Sequence, residues 1–90
     1  MRIFLQTPPR AAEQPRYCHL ILQQDLLGGW TLLREWGRTG GRASLKREVF
    51  LDRDAAEAAL VLARDRELKR GFQIMFTQGA DAPAGRHYGD

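Results

Sequence analysis

The sequence predicts an α+β domain: a small antiparallel β-sheet of about four to five strands, with one α-helix packed on one face. Three observations carry this. Five short runs of β-forming residues are separated by glycine- or proline-rich breaks. A single stretch after Asp52 changes to alanine, leucine and charge, with no breaker before Gly71. Finally, 90 residues suffice for one modest core but not two.

In chain order, Ile3-Phe4-Leu5 reads as a first strand. Residues 8–16 follow as a connecting loop, because Pro8, Pro9 and Pro15 lack the donor that a central strand needs. Tyr17 to Gln23 is a second strand and Trp30 to Trp36 its antiparallel return, joined by a loop containing Gly28-Gly29. Gly37 to Gly41 reads as a second turn. Ser44 to Phe50 then alternates, with Leu45 and Val49 on one face and Lys46, Glu48 and Phe50 on the other. Asp52 is the expected N-cap of the helix, since its carboxylate can accept from unpaired first-turn amides. Acids lie early (Asp52, Asp54, Glu57) and bases late (Lys69, Arg70), as the helix dipole favours. Gly71 suits the left-handed position that ends a helix. Phe72 to Phe76 is a last short strand, and residues 78–90 form a polar tail expected to be disordered. One helix cannot shield two sheet faces, so one face is expected to stay open or to be buried by a partner.

Composition narrows the function classes. Apolar residues make up 43% and charged residues 28%, as in ordinary soluble domains. No apolar run reaches the roughly 18–20 residues of a membrane span, and the N-terminus lacks the pattern of a signal peptide. The lone cysteine, Cys18, has no internal disulfide partner, and with only His19 and His87 beside it offers no zinc pattern. A cytoplasmic protein without metal or cofactor is expected. The net charge of +3 is mild, but its distribution is not. Five bases (Arg34, Arg38, Arg42, Lys46, Arg47) and one acid (Glu35) lie between positions 34 and 47, around one turn.

That turn contains Trp36-Gly37-Arg38-Thr39-Gly40-Gly41-Arg42. A tryptophan at a strand end offers a flat π-face, and Arg38 a planar fork suited to phosphate. Glycine at position 37 removes a side chain that would crowd a ligand, and the later glycines let backbone approach it. Ring, cation and bare backbone together suit a nucleotide terminus. The same tripeptide also fits a plain strand end, with indole in the core and arginine in solvent.

The wider pattern resembles the WGR domain, known as a module of poly(ADP-ribose) polymerases and as short bacterial proteins. The resemblance rests on Tyr17, on Leu33-Arg34 before Trp36-Gly37-Arg38, on Gly40, on Phe50 and Ala56, and on Lys69-Arg70-Gly71-Phe72. It departs where the family has a second glycine followed by glutamine, here Ala43-Ser44, and where phenylalanine replaces tyrosine at the helix end. It implies a stand-alone WGR domain over residues 1–77 that binds broken DNA near a 5′ end. Carried over, Trp36 stacks on a terminal sugar or base and Arg38 engages phosphate or a partner surface.

The expected nucleic-acid site is therefore Trp36, Gly37, Arg38, Gly40, Arg42 and Lys46. Arg42 and Lys46 share strand parity and Arg47 does not. Lys69 and Arg70 are already accounted for by the helix dipole. Trp30, Phe50 and Phe72 are expected in the core. Cys18 and His19, adjacent on a strand, point to opposite faces and form no nucleophile–base pair. Nothing in the sequence has the spacing of a catalytic or phosphate-loop motif, so binding rather than catalysis is expected. The expected partner is nucleic acid, DNA more than RNA, with no membrane. The alternative is a protein-interaction module, a homodimer or a regulatory partner's dock, using the open sheet face or the last edge strand.

Overall fold

A computed structural model describes residues 1–10 and 12–79 of the chain. Five strands and one helix follow in the order β1 (Arg2–Gln6), β2 (Arg16–Gln24), β3 (Trp30–Arg38), β4 (Ala43–Phe50), α1 (Arg53–Lys69) and β5 (Gln73–Gln78). The strands form one antiparallel sheet in the order β4-β3-β2-β1-β5. The expected α+β class is correct, and α1 covers one face of the sheet, over β2, β3 and β4.

The register fixes what each face carries. Leu20 stands opposite Ile3 and Arg34, Leu22 opposite Leu32, and Cys18 opposite Leu5 and Trp36. These side chains share the helix-covered face. Ile3, Leu5, Leu20, Leu22 and Leu32 are buried there beneath Ala56, Leu60 and Ala63 of α1. The three helix residues are spaced four and three apart, which puts them on one side of a helix. Two of them are alanines, so the helix backbone approaches the sheet closely. Trp30 and Phe50, expected in the core, are partly buried at its border, whereas Phe72 is buried.

Both helix ends follow their sequence signals. Asp52 Oδ1 accepts from the Ala55 N–H at 2.8 Å. At the other end the Gly71 N–H donates to the Leu68 carbonyl and the Phe72 N–H to the Glu67 carbonyl, at 3.1 and 3.0 Å. Gly71 has φ +95°, so this crossed pair of bonds closes the helix around a residue that favours glycine.

Two expectations are corrected. Gly37 and Arg38 belong to β3 rather than to the turn: Gly37 pairs with Tyr17 and Ala43, and Arg38 with Arg16. The ladder continues because both neighbouring strands extend alongside, so the turn shrinks to residues 39–42. The last strand runs Gln73–Gln78 and takes in position 78 of the supposed tail, because Arg2 pairs with Gln78. Phe72 is spent on the helix cap. The rest of the expected disordered tail, from position 80 on, lies outside the described residues.

Candidate functional site

Beyond the core, the helix-covered face changes character. On β3 the positions following Leu32 with the same parity are Arg34, Trp36 and Arg38; on β2 the residue preceding Cys18 with that parity is Arg16. The last turn of α1 brings Arg66 over this end of the sheet, and the helix cap brings Arg70. Between them opens a cavity of about 560 Å³. Six arginines line it: Arg16, Arg34, Arg38, Arg42, Arg66 and Arg70. Among the described residues the one carboxylate on its wall is Glu67, whose Oε1 accepts from Arg70 Nη1 at 3.1 Å.

Trp36 is 42% exposed at this cavity, so its indole is neither a core residue nor free in solvent. Arg16, Arg38, Arg42 and Arg66 are exposed. Arg34 is more deeply set, and its Nε lies 3.4 Å from Glu48 Oε1 without hydrogen-bond geometry. The Arg70 guanidinium lies 5.8 Å from the centre of the Phe72 ring, a cation over an aromatic face.

Gly37 has a sharper reason than ligand access. A Cβ there would run into the Arg42 carbonyl oxygen and come within 3.2 Å of Ala43 Cα. The glycine therefore lets β4 close on β3 at the mouth of the turn, and this holds Arg38 and Arg42 side by side. Gly40 takes the turn itself, at φ +80°.

Of the six expected site residues, Trp36, Gly37, Arg38 and Arg42 line the cavity. Gly40 supports it from the turn. Lys46 pairs with Arg34 across β3 and β4 and stands outside the lining. Arg34 belongs to the basic cluster that the sequence shows around the turn, whereas Arg16 and Arg66 carry no such signal and Arg70 has a sufficient reason in the helix dipole. Parity on β3 (positions 34, 36 and 38) is the sequence signal for that strand's share. The four-residue spacing of Arg66 and Arg70 was a signal for the helix. Their meeting depends on the helix's return across the sheet.

Cys18 marks the border between core and cavity. Burial pushes its thiol up to about 12, helped by the nearby Glu67 charge and opposed by Arg34 and Arg70. It stays protonated and unreactive at neutral pH. His19 lies on the other face, as expected, edge-on to Phe4 with ring centres 5.5 Å apart. Burial lowers its pKa, as does Arg2, against an upward pull from Glu35. Among the described residues no group of three or more His, Cys, Asp or Glu side chains is placed to hold a metal. No helix among them is long and apolar enough to cross a membrane.

Among the described residues no helix covers the opposite sheet face. Phe4 stacks between Tyr17 and Phe76, with ring centres 5.9 and 5.5 Å away. The Tyr17 hydroxyl donates to Glu35 Oε2 at 3.3 Å. Farther along, Leu45 and Val49 are 68% and 63% exposed.

Fold and cavity together define a small α+β domain with a cationic cleft beside a half-exposed indole. The chain belongs to the WGR domain family, which matches residues 1–74. In poly(ADP-ribose) polymerases the family provides a nucleic-acid-binding module. No curated protein and no solved structure gives a significant match.

Proposed function

We propose that this chain binds nucleic acid through the cavity around Trp36, taking DNA ends or nicks with little sequence preference. The observation that carries this is the convergence of six arginines on one half-exposed tryptophan, with Glu67 the only carboxylate in the wall among the described residues. Arginine forks suit phosphate oxygens, and a half-exposed indole suits a terminal base or sugar. Phosphate contacts carry no sequence information, hence the low specificity. The role is one of binding and not of catalysis, and we assign it to the cytoplasm, where the Cys18 thiol stays reduced.

The test is fluorescence anisotropy with a short 5′-phosphorylated duplex at two salt concentrations. Few phosphate contacts predict a log–log salt slope of roughly −2 to −4, at about −0.9 per phosphate. Trp36→Ala removes about 1–3 kcal/mol of stacking, and Arg38→Ala weakens binding and flattens the slope. A folded wild type that binds no duplex at low salt overturns the reading.

The second reading is a protein-interaction module. The exposed Leu45, Val49 and Phe76 side chains on the helix-free face favour it. A concentration-dependent dimer in sedimentation, without affinity for DNA, is the result it expects.

A further inference from the structure

The loop between β1 and β2 forms a second compartment next to the first. A cavity of about 290 Å³ lies against it, lined in part by Arg10, Glu13, Arg16 and Arg70. Arg16 and Arg70 line this cavity and the Trp36 cavity alike. The two spaces therefore meet at a pair of arginines, and Arg10 adds a further cation that lines the second cavity but not the first.

The loop is fastened to the site at both ends. The Thr7 N–H donates to the Arg16 carbonyl at 2.8 Å, and the Arg16 N–H to Thr7 Oγ1 at 2.9 Å. The Thr39 N–H, next to Arg38, donates to the Pro15 carbonyl at 2.9 Å. Proline at positions 8, 9 and 15 restricts the backbone further. The two backbone bonds extend the β1–β2 and β2–β3 ladders by one pair beyond Gln6–Tyr17 and Arg16–Arg38. The loop therefore leaves directly from the ladder that carries Arg16 alongside Arg38.

We infer that a nucleic-acid strand seated at Trp36 continues across Arg16 and Arg70 into the compartment beside Arg10, so that the site takes at least two consecutive nucleotides. The inference rests on the nucleic-acid reading above. It adds a direction: the strand leaves the first compartment toward the β1–β2 loop and not along β4 toward Lys46. The first compartment has the volume of a small-ligand site, and the second is about half as large. Glu13 in the second compartment and Glu67, paired with Arg70 in the first, keep the track from being uniformly basic. The phosphates are therefore expected at the arginines, with sugar or base edges near the carboxylates.

The experiment compares a 5′-phosphorylated thymidine mononucleotide with the 5′-phosphorylated tetranucleotide of the same base. Binding is measured by calorimetry on the wild type, Arg10→Ala, Lys46→Ala and Arg38→Ala. Arg10 and Lys46 are exposed, so neither substitution disturbs the core. The tetranucleotide is expected to bind wild type at least tenfold more tightly than the mononucleotide. Arg10→Ala is expected to remove most of that advantage, to leave mononucleotide binding unchanged, and to reduce the salt slope by about 0.7, the single-strand value per phosphate. Lys46→Ala changes neither ligand. An unchanged tetranucleotide affinity in Arg10→Ala, alongside weakened binding of both ligands in Arg38→Ala, overturns the track and spares the Trp36 site. If Arg38→Ala also changes nothing, both readings fall.

Discussion

One sheet face, followed from one end to the other, passes from a dry core into a charged cleft. At the core end Leu20, Leu22 and Leu32 meet Leu60 and two alanines in one apolar cluster. At the cleft end the same strands present Arg16, Arg34, Trp36 and Arg38, and the helix delivers Arg66 and Arg70 in place of leucine. The backbone ladder is continuous through both regions. Side-chain size and charge mark the difference: leucines at matched positions exclude water, whereas arginines at the other end leave an open, charged cleft. The burial that holds the sheet and helix together comes from the core end of the face.

This comparison can be broken first at the core. Leu60→Ala is expected to cost about 2–5 kcal/mol, the range for a buried leucine truncated in a packed interior. A denaturant titration measures it. Trp36→Ala should cost clearly less, since its ring is only partly covered. An equal loss for the two would mean that the cleft end carries as much of the stability as the core.

The next largest effect lies at the hinge between sheet and turn. Gly37→Val forces a branched side chain against the Arg42 carbonyl. About 1–3 kcal/mol of stability should be lost, as in other overpacked sites. Ligand affinity should fall with it, because Arg38 and Arg42 separate. Thermal unfolding and anisotropy on one sample would show whether the two losses occur together.

The smallest effect sharpens the border. The Cys18 thiol is raised from 9.0 in the unfolded chain to about 12 in the fold. The native state thus holds a proton that the unfolded state releases as pH passes 9.0. The stability linked to this group is full below that pH and is lost as pH climbs toward 12. The stability of wild type relative to Cys18→Ala should therefore shrink between pH 8 and pH 10.5, as read from denaturation midpoints. A difference that does not change with pH would place the thiol in water and the border of the core elsewhere.

Much of the fold was legible because its signals are local. Asp52, the alanine-rich stretch and Gly71 bracket the helix, and period-two alternation marks β4. Glycine and proline breaks separate the other strands. Legibility failed where a long-range neighbour decides the outcome. Gly37 looked like a turn residue because glycine usually marks one, yet two flanking strands draw it into the ladder. Lys46 has the right parity but lies on the edge strand, away from the helix end. Arg66 and Arg70 sit some thirty residues from Trp36 in the chain, and only the helix's path across the sheet brings them to it. The tripeptide thus pointed to the place, while half of the charge there was hidden in elements whose meeting no local pattern records.

The central claim is that ligand binds at the cleft end of this face, and the two tryptophans can test it within one molecule. Trp30 and Trp36 occupy the same strand and the same face, roughly 20 Å apart at about 3.3 Å per residue. Trp30 lies at the core border, with the Arg53 guanidinium 5.4 Å from the centre of its ring. An NMR titration of the two indole N–H signals with a short 5′-phosphorylated duplex compares them directly. The account predicts that the Trp36 signal moves with saturation and that the Trp30 signal stays in place. Movement at Trp30 alone, or at neither indole while the Leu45 and Val49 methyls shift, would put the ligand elsewhere and contradict it.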